Sequence, residues 1–342
     1  MVVIKFDFAS DSLASSILRL KSDSNDWTLP YLQFLKQYTS GDNIEVKSSG
    51  STGTPKTLIF TADQYKASAN KSIAYFNFQK GLIAASALPG NTVGGQLMFV
   101  RAYLAKMVLY LLPPKLNAYV ELSESVDFAP MVGSQFQVLI DNKKTSNFKQ
   151  ILLGGGPLIS NQLNDLSNLE CEVFASYGMT ETLSHVALRN LTNKEDYYTL
   201  LPGNKASINQ EGCITLSCDY LPTDVITTDL GEIINNKIHV LGRADFTIIS
   251  SGKKIQPEII ETKLQSFISK KCLVTGKEDK IFGNILGLLT SSELNAQEKS
   301  MLSEYNAGAP SHEKIRFVES CTFFETEQKI LRQKTLTEWA KK

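Results

Sequence analysis

The stretch from Lys47 to Lys56 reads KSSGSTGTPK and combines five Ser or Thr hydroxyls with two glycines. Backbone N–H groups of a glycine-rich loop can form a concave donor site, and small hydroxyls add donors that rotate, so both suit phosphate oxygens. The spacing is not that of P-loop NTPases, which place four residues between the glycines and Lys-Ser/Thr directly after the second. We therefore expect either phosphate binding, with charge from Lys56, or an ordinary Ser/Gly surface turn.

Two later stretches place an acid close to hydroxyls, glycine or an aromatic ring. In FASYGMTET, residues 174–182, Thr180 suits a phosphate oxygen, and Glu181 suits Mg²⁺, which takes few carboxylates beside nucleotide phosphates. Tyr177 offers a ring on which a base can stack. In TTDLGE, residues 227–232, Asp229 can accept both hydroxyls of a ribose, as acids do in other nucleotide sites. The alternatives are a capped helix start and a solvated turn aspartate.

Composition and charge exclude several classes of protein. The 342 residues carry 35 Lys and Arg against 35 Asp and Glu, and this balance disfavours a dedicated nucleic-acid binder. The N-terminus MVVIKFDFAS lacks the features of a signal peptide, and the longest apolar runs are too short to span a bilayer. Five scattered cysteines and three histidines predict reduced thiols and no metal cluster. We expect a cytoplasmic protein without a nucleic-acid partner or a membrane span.

Strands that alternate with helices predict an α/β fold as far as about residue 200. The glycine-rich stretch lies between strands predicted over 44–47 and 57–60, and Thr61 with Gln64 forms a capping box for a helix over 62–76. A helix is predicted over 94–110 and a strand over 136–140. A β-rich section and a small α+β unit follow, with the boundary near Gly242–Asp245. The predicted domains are residues 1–242 and 243–342.

Six segments, taken in order along the chain, resemble motifs of the adenylate-forming superfamily of acyl-CoA synthetases, peptide-synthetase adenylation domains and luciferases. They are SSGSTGTPK at 48–56, GGGPL at 154–158, SYGMTET at 176–182, TTDLGE at 227–232, GRADFTIISSGKKIQPEIIE at 242–261 and QKILR at 328–332. Within the superfamily, the stretch SYGMTETLSHVALR at 176–189 and the short length are most similar to the o-succinylbenzoate–CoA ligases of menaquinone biosynthesis.

The resemblance implies a fold and a two-step reaction. The fold is an α/β large adenylate-forming domain, trimmed at its N-terminus, with a small mobile α+β lid domain at the C-terminus. The reaction joins a small-molecule acid to AMP with release of pyrophosphate, and then transfers the acyl group to coenzyme A. ATP, Mg²⁺ and coenzyme A are the implied cofactors, and o-succinylbenzoate is the implied acid.

The same resemblance assigns roles to residues of this sequence. Lys329, Thr180 and Glu181 are the implied catalytic residues, with Glu181 as the metal ligand and Asp245 as the hinge between domains. Ser251 and Gly252 are implied on the coenzyme A side. The acid pocket is assigned to Asn91, Thr92, Ser184 and His185. The implied nucleotide-binding residues are Ser48, Ser49, Gly50, Ser51, Thr52, Gly53, Thr54, Lys56, Gly154, Gly155, Gly156, Tyr177, Asp229 and Arg243.

The chain departs from the superfamily pattern in four places. Only 47 residues precede the glycine-rich stretch, where relatives usually carry another subdomain. Asn91 and Thr92 stand where an aromatic residue or histidine is common. Gln328 replaces the glycine expected before Lys329, and Lys254 replaces a commoner arginine, which leaves a point charge in place of a planar fork.

Three functions stay open on the sequence alone. The first is the o-succinylbenzoate ligase. The second is an adenylating enzyme for another aryl or fatty acid, or one that loads a carrier protein. The third is a trimmed, non-catalytic scaffold that binds adenylate. The sequence also leaves open whether the chain forms a homodimer.

Overall fold

A computed structural model describes residues 2–23, 25–47, 56–156, 166, 169–325 and 330–341. Several predicted site residues lie outside these ranges, namely Ser48, Ser49, Gly50, Ser51, Thr52, Gly53, Thr54 and Lys329. Their assigned roles therefore stay predictions.

A twelve-stranded sheet forms the centre of the part that the structure describes. Its strands are β1 Ile4–Asp7, β4 Ile83–Ser86, β5 Val108–Leu111, β6 Val126–Val132, β7 Phe148–Gly154, β8 Glu172–Met179, β9 Ser184–Asn190, β10 Tyr198–Leu200, β11 Asn204–Ile208, β12 Cys213–Cys218, β13 Val225–Ile234 and β14 Lys237–Arg243. The spatial order is β1-β5-β4-β6-β7-β8-β9-β10-β14-β13-β12-β11. Strands β5, β4, β6, β7 and β8 are parallel neighbours, and the remaining pairs are antiparallel.

In the part of the chain that the structure describes, five helices accompany this sheet, and three hydrophobic cores lie around it. The helices are α1 Leu13–Ser22, α2 Leu29–Ser40, α3 Ala62–Phe76, α4 Val93–Leu104 and α5 Gly133–Asp141. Residues of α2, α3 and α4 share one core, and α5 contributes Phe136 and Leu139 to another. Thr61 and Gln64 form the predicted capping box of α3. Nine residues of α4 are buried, as expected for a helix that is apolar on nearly all sides.

The two strands predicted on either side of the glycine-rich stretch are present, and they pair with each other. Strand β2 Ile44–Lys47 pairs with β3 Thr57–Phe60, and Lys47 is the register partner of Thr57. The buried residues Val46 and Phe60 belong to the same core as Leu183, which follows the FASYGMTET stretch. The chain therefore anchors both ends of the predicted phosphate loop in the core that also holds that stretch.

Two predicted elements are wrong. The helix predicted over 94–110 ends at Leu104, because the chain turns through Lys106 at φ 56° and then forms β5. The strand predicted over 136–140 is part of helix α5, and the strand of that region is the preceding segment β6. In both cases a short apolar run fitted helix and strand equally well, and neighbouring strands decided the outcome.

The C-terminal part has smaller sheets and its own core. Strand β15 Ile248–Ser250 pairs with β16 Lys253–Ile255, and β17 Cys272–Asp279, β18 Gly283–Thr290 and β19 Ile315–Ser320 form a three-stranded sheet. Helices α6 Pro257–Gln265, α7 Ala296–Gly308 and α8 Arg332–Trp339 accompany them. The core includes Ile260, Val274, Leu288 and Leu302. The domain boundary near residue 243 stays a prediction.

In the described ranges, no helix is both long enough and apolar enough to cross a membrane. Cys171, Cys213, Cys218 and Cys272 are buried and form no disulfide bond in the described part of the chain.

Candidate functional site

The candidate site lies at one edge of the parallel strands. The carboxyl ends of β4, β6, β7 and β8 share this edge, because these strands are parallel neighbours. Asn91 and Thr92 follow β4, Gly154 ends β7, and Thr180 follows β8. In open α/β sheets, ligands bind outside the carboxyl ends of the strands. The fold thus brings three segments that are distant in sequence to one place where a ligand is expected.

The GGG segment requires glycine for two separate reasons. A Cβ atom added to Gly154 would lie 2.9 Å from Ser176 Oγ, which itself donates a hydrogen bond of 2.9 Å to the carbonyl oxygen of Leu153. Gly155 has φ 89°, a conformation that residues with a side chain rarely adopt. Gly155 and Gly156 are exposed. Exposed backbone beside the end of β8 suits the predicted approach to adenine, which stays a prediction.

Asp229 and Arg243, predicted to bind the ribose, lie side by side. They are register partners on the antiparallel strands β13 and β14, and Arg243 Nη1 lies 4.0 Å from Asp229 Oδ1. The side chains are 17% and 29% exposed. Asp229 is therefore a residue of a strand, and the solvated turn considered for it is wrong. The strand is irregular between Leu230 and Gly231, where the sequence suggested a turn.

Tyr177 connects strand β8 to this pair. Its hydroxyl donates a hydrogen bond of 3.0 Å to Asp229 Oδ2. Burial raises the pKa of Asp229 above its ordinary value, and Asp245 acts in the same direction, whereas Tyr177 and Arg243 oppose the rise. Only 8% of Tyr177 is exposed, so the structure supports an orienting contact with Asp229. Stacking of a base on the Tyr177 ring stays a prediction.

The turn that carries Thr180 and Glu181 is a single 3-10 turn, Thr180–Thr182, between β8 and β9. The capped helix start considered for this stretch is therefore wrong. Leu183 has φ 49° and Ser184 has φ 87°, which are strained values for residues other than glycine. Each such residue costs of order 1–3 kcal/mol and persists only where surrounding contacts hold it. A Cβ atom on Gly178 would lie 2.3 Å from the carbonyl oxygen of Ser184, so this close approach needs glycine.

Thr180 and Glu181 meet the requirements for a hydrated cation. Both side chains are half-buried, and neither has a hydrogen bond or an ion pair with another residue in the described ranges. Mg²⁺ keeps several waters and uses one or two carboxylates beside phosphate groups. A single unpaired carboxylate at the edge of the sheet fits that pattern, although no group of three His, Cys, Asp or Glu side chains forms a metal site in the described part.

The predicted hinge residue Asp245 lies in the 3-10 turn Ala244–Phe246, directly after β14. Its carboxylate accepts a hydrogen bond of 2.9 Å from Arg243 Nη2. The guanidinium groups of Arg243 and Arg332 lie 5.9 Å and 4.8 Å from the centre of the Phe246 ring. The turn thus contacts Arg243, which is predicted to bind the ribose. It also contacts Arg332, which lies three residues after Lys329.

Ser251 and Gly252 form the exposed turn of the β15–β16 hairpin. Their φ angles are 51° and 72°, and no atom lies within 4 Å of a Cβ built on Gly252. Open space and free choice of φ would let another molecule approach this backbone closely. Their role on the coenzyme A side stays a prediction.

The four residues assigned to the acid pocket have different environments. Asn91 is exposed, and Thr92 is the N-cap of α4, whose hydroxyl donates to Pro89 O at 2.7 Å and accepts from Gly95 N at 3.3 Å. His185 is buried and lies 3.0 Å from Ser72 Oγ and 3.3 Å from Ser184 Oγ. Burial and the nearby Arg101 hold the pKa of His185 well below its ordinary value, so the ring is neutral. The roles of these residues stay predictions.

Sequence reasoning missed Arg101, a charged residue in the last turn of helix α4. It is 2% exposed, its Nη2 lies 3.4 Å from Ser184 Oγ, and its Nε has no partner. No described acid lies within ion-pair distance of Arg101. Burial lowers its pKa to about 10, so it stays charged at neutral pH. A lone arginine in the apolar run LMFVRAYL was the signal that could have revealed it.

Lys56, assigned to the phosphates, is exposed and directly precedes β3. It therefore lies at the described end of the predicted phosphate loop. Its contact with phosphate stays a prediction.

Comparisons with known proteins show which families and structures this chain resembles. The model of the family "AMP-binding enzyme" matches residues 48–214. A 2-succinylbenzoate–CoA ligase of Salmonella typhimurium is 26% identical over 255 residues, which cover 69% of this chain and 55% of the ligase. The chain thus spans little more than half the length of that curated relative.

Solved structures match the whole fold. An acyl-CoA synthetase (AMP-forming)/AMP-acid ligase II-like protein from Dyadobacter fermentans has TM-score 0.65 and 26% identity, over 98% of this chain and 99% of that one. The o-succinylbenzoate CoA synthetase from Bacillus subtilis, in complex with the acyl-adenylate intermediate OSB-AMP, has TM-score 0.75 and 21% identity, over 84% and 68%. The predicted fold class is confirmed: an α/β adenylate-forming domain with a small C-terminal domain.

Proposed function

We propose that this chain is an ATP-dependent acid–CoA ligase, similar to the AMP-binding enzyme family whose model matches residues 48–214. The observation that carries the reaction type is the contact between three segments. Tyr177, on the strand that leads into Thr180 and Glu181, bonds to Asp229, and Asp229 pairs with Arg243. A ribose site joined to a phosphate and metal turn is what adenylate formation requires.

In the first half-reaction, a carboxylate oxygen of the acid attacks the α-phosphorus of ATP. A bond from that oxygen to phosphorus forms, the bond to the bridging oxygen breaks, and pyrophosphate leaves. Two anions must approach each other, so charge stabilisation and positioning supply most of the catalysis. Asp229 and Arg243 would orient the ribose, and the loop at 48–56 would hold the outer phosphates. Lys329 is the proposed cation between the acid and the α-phosphate.

Glu181, with Thr180 beside it, would hold the magnesium ion. When bound, the ion neutralises phosphate charge that develops as pyrophosphate leaves. The contribution of the chain is to hold this carboxylate in a turn at the end of β8, where no described residue pairs with it. Thr180 adds a hydroxyl that can donate to a phosphate oxygen.

In the second half-reaction, the thiol sulfur of coenzyme A attacks the acyl carbon, and AMP leaves. We propose that rotation about Asp245 replaces Lys329 by the Ser251–Gly252 turn at the site. One cleft can then perform two reactions in succession, because a lid exchanges the residues that face the substrate. Phe246, in the same turn as Asp245, contacts the guanidinium groups of Arg243 and Arg332. A rotation about Asp245 would change these contacts.

The buried side chain of Arg101 supports the proposal for which acid the enzyme uses. A buried cation without an anionic partner is costly, and pairing with an anion offsets that cost. We propose that the acid has a second carboxylate, which pairs with Arg101 beside Ser184 and His185. The acid o-succinylbenzoate has two carboxylates on an aromatic frame, and curated relatives of this chain carry the name 2-succinylbenzoate–CoA ligase. Its conversion to o-succinylbenzoyl-CoA is therefore the proposed reaction.

The test measures pyrophosphate release from ATP with o-succinylbenzoate, benzoate and octanoate, followed by mass detection of the CoA thioester. We expect release and thioester formation with o-succinylbenzoate, and at least ~100-fold lower kcat/KM with benzoate, since one buried ion pair is lost. Preference for another acid would overturn the substrate but keep the ligase. Release without a CoA thioester would favour loading of a carrier protein. ATP binding without release for any acid would favour the non-catalytic scaffold.

A further inference from the structure

Tyr220, between strands β12 and β13, contacts the turn that carries Thr180 and Glu181. Its hydroxyl donates a hydrogen bond of 2.8 Å to the carbonyl oxygen of Thr182. The next carbonyl oxygen, that of Leu183, accepts a hydrogen bond of 2.8 Å from Ser68 Oγ of helix α3. Two successive carbonyls of the strained turn are thus held by side chains from different parts of the chain.

The hydroxyl of Thr182 also stabilises the turn through hydrogen bonds. The hydroxyl of Thr182, which is fully buried, lies 3.0 Å from Met179 O and 2.7 Å from Ser184 O, and it accepts from Met179 N at 2.9 Å. These bonds join the turn to the last residue of β8 and the first residue of β9, the two strands that flank it. Ser68 and Tyr220 hold the turn from outside these two strands.

Tyr220 is itself held by two contacts with residues of helix α3. Gln64 Nε2 donates to its backbone oxygen at 3.1 Å, and the Lys71 ammonium lies 5.6 Å from the centre of its ring. Lys71 also pairs with Asp219 at 2.8 Å and donates to Pro202 O at 2.6 Å. The Lys71 side chain is 12% exposed and that of Asp219 is 55% exposed, so water reaches the salt bridge from the carboxylate side. A Cβ atom on Gly203 would lie 2.0 Å from Asp219 Oδ2. Glycine at this position therefore leaves room for the ion pair between Lys71 and Asp219.

From this geometry we propose that Tyr220 is a positioning residue for the metal and phosphate turn. Its hydroxyl fixes the Thr182 carbonyl, and through the turn it fixes the unpaired carboxylate of Glu181. The inference rests on the proposed function, since positioning of Glu181 matters only if its carboxylate holds the magnesium ion of Mg·ATP. Ser68 holds the next carbonyl oxygen, that of Leu183, and Tyr220 holds the carbonyl oxygen of Thr182, which directly follows Glu181.

The test is Tyr220→Phe, which removes only the hydroxyl. ATP binding is measured by calorimetry with and without Mg²⁺, together with the Mg²⁺ concentration for half-maximal pyrophosphate release. We expect the Mg²⁺ requirement to rise ~10-fold, because loss of a partner behind a metal ligand typically costs 10- to 100-fold. ATP binding without Mg²⁺ should change less than ~2-fold.

Two further variants separate positioning from general stability. Tyr305→Phe is the matched control, because the Tyr305 hydroxyl lies 3.5 Å from the carbonyl oxygen of Glu313 in the C-terminal part. In a Glu181→Gln background, Tyr220→Phe should add less than ~2-fold to the Mg²⁺ requirement, since both changes act through one group.

Equal losses of ATP binding with and without Mg²⁺, or full additivity with Glu181→Gln, would overturn the role of Tyr220. Wild-type protein that binds Mg·ATP but releases no pyrophosphate would defeat the ligase proposal, whereas the calorimetric comparison would still test Tyr220.

Discussion

The hydroxyl of Tyr177 lies 3.0 Å from Oδ2 of Asp229, although 52 positions separate the two residues in sequence. Tyr177 lies near the end of strand β8, which leads into the Thr180–Glu181 turn. Asp229 is the register partner of Arg243. One hydrogen bond thus joins the two segments to which the sequence assigned the base, the phosphates and the ribose. It also makes the charge of Asp229 depend on Tyr177.

The first prediction concerns Tyr177→Phe and pH. Burial raises the pKa of Asp229, and the hydrogen bond from Tyr177 opposes the rise, so the variant should raise the pKa further. Because the ribose hydroxyls need the carboxylate as acceptor, ATP affinity is lost as the pH falls. We expect that acidic loss to move to higher pH, because the variant removes a hydrogen bond that stabilises the charged carboxylate. The measurement is the Kd of a fluorescent ATP analogue against pH.

Tyr38→Phe is the control for this experiment, because the Tyr38 hydroxyl is buried without a hydrogen-bond partner in the described ranges. It should leave the pH profile of ATP binding unchanged. A profile for Tyr177→Phe that does not move, or that moves toward lower pH, would contradict the assigned dependence.

The second prediction concerns Arg101→Met, which replaces a buried cation with an apolar side chain of similar length. Replacing a buried ion by a packed hydrophobic residue is often neutral or stabilising, so we expect a gain of about 1–2 kcal/mol in the free energy of unfolding. The kcat/KM for o-succinylbenzoate should fall at least ~100-fold, since the second carboxylate loses its partner. Benzoate, which has one carboxylate, should lose little. The measurements are denaturant unfolding and steady-state kinetics with both acids.

Arg19→Met is the matched control, because Arg19 pairs with Asp11 on the surface and its side chain is 42% exposed. It should change neither acid kinetics nor stability by more than about 1 kcal/mol. If Arg101→Met destabilised the fold and affected both acids equally, Arg101 would be a structural residue.

The sequence was informative where local pattern and strand order agree. The GGG segment and the FASYGMTET stretch each end a strand, and parallel strands bring their carboxyl ends to one edge. The register of β13 against β14 places Asp229 opposite Arg243, but that register depends on pairing that no short window of sequence shows. Arg101 and Tyr220 escaped prediction because their importance comes from burial and from contacts with residues distant in sequence. The strand predicted over 136–140 was wrong for the same reason, since a short apolar run does not show which neighbours it will meet.

The third prediction concerns Gly178→Ala. The added Cβ would lie 2.3 Å from Ser184 O and 2.6 Å from His185 Cα, both of which belong to backbone that cannot give way cheaply. We expect a loss of about 2–4 kcal/mol in the free energy of unfolding, or displacement of the Thr180–Glu181 turn with a weaker response of ATP binding to Mg²⁺. Gly308→Ala is the control, since no atom lies within 4 Å of its Cβ position. A Gly178→Ala variant with unchanged stability and Mg²⁺ response would show that the turn is not constrained.

The fourth prediction concerns Lys329→Ala and separates the two half-reactions. If Lys329 supplies a positioned charge only while the acid attacks the α-phosphate, its removal should slow adenylate formation about 10²- to 10³-fold, as does loss of one preorganised donor. Thioester formation from synthetic acyl-adenylate and coenzyme A should change less than ~3-fold, because a lid that has rotated about Asp245 no longer presents Lys329. Lys334→Ala is the control, since Lys334 lies on α8 near Lys329 in sequence and its ammonium contacts the Phe324 ring at 4.6 Å. Equal losses in both half-reactions would mean that Lys329 serves binding or folding, and the exchange of residues about the hinge would lose its support.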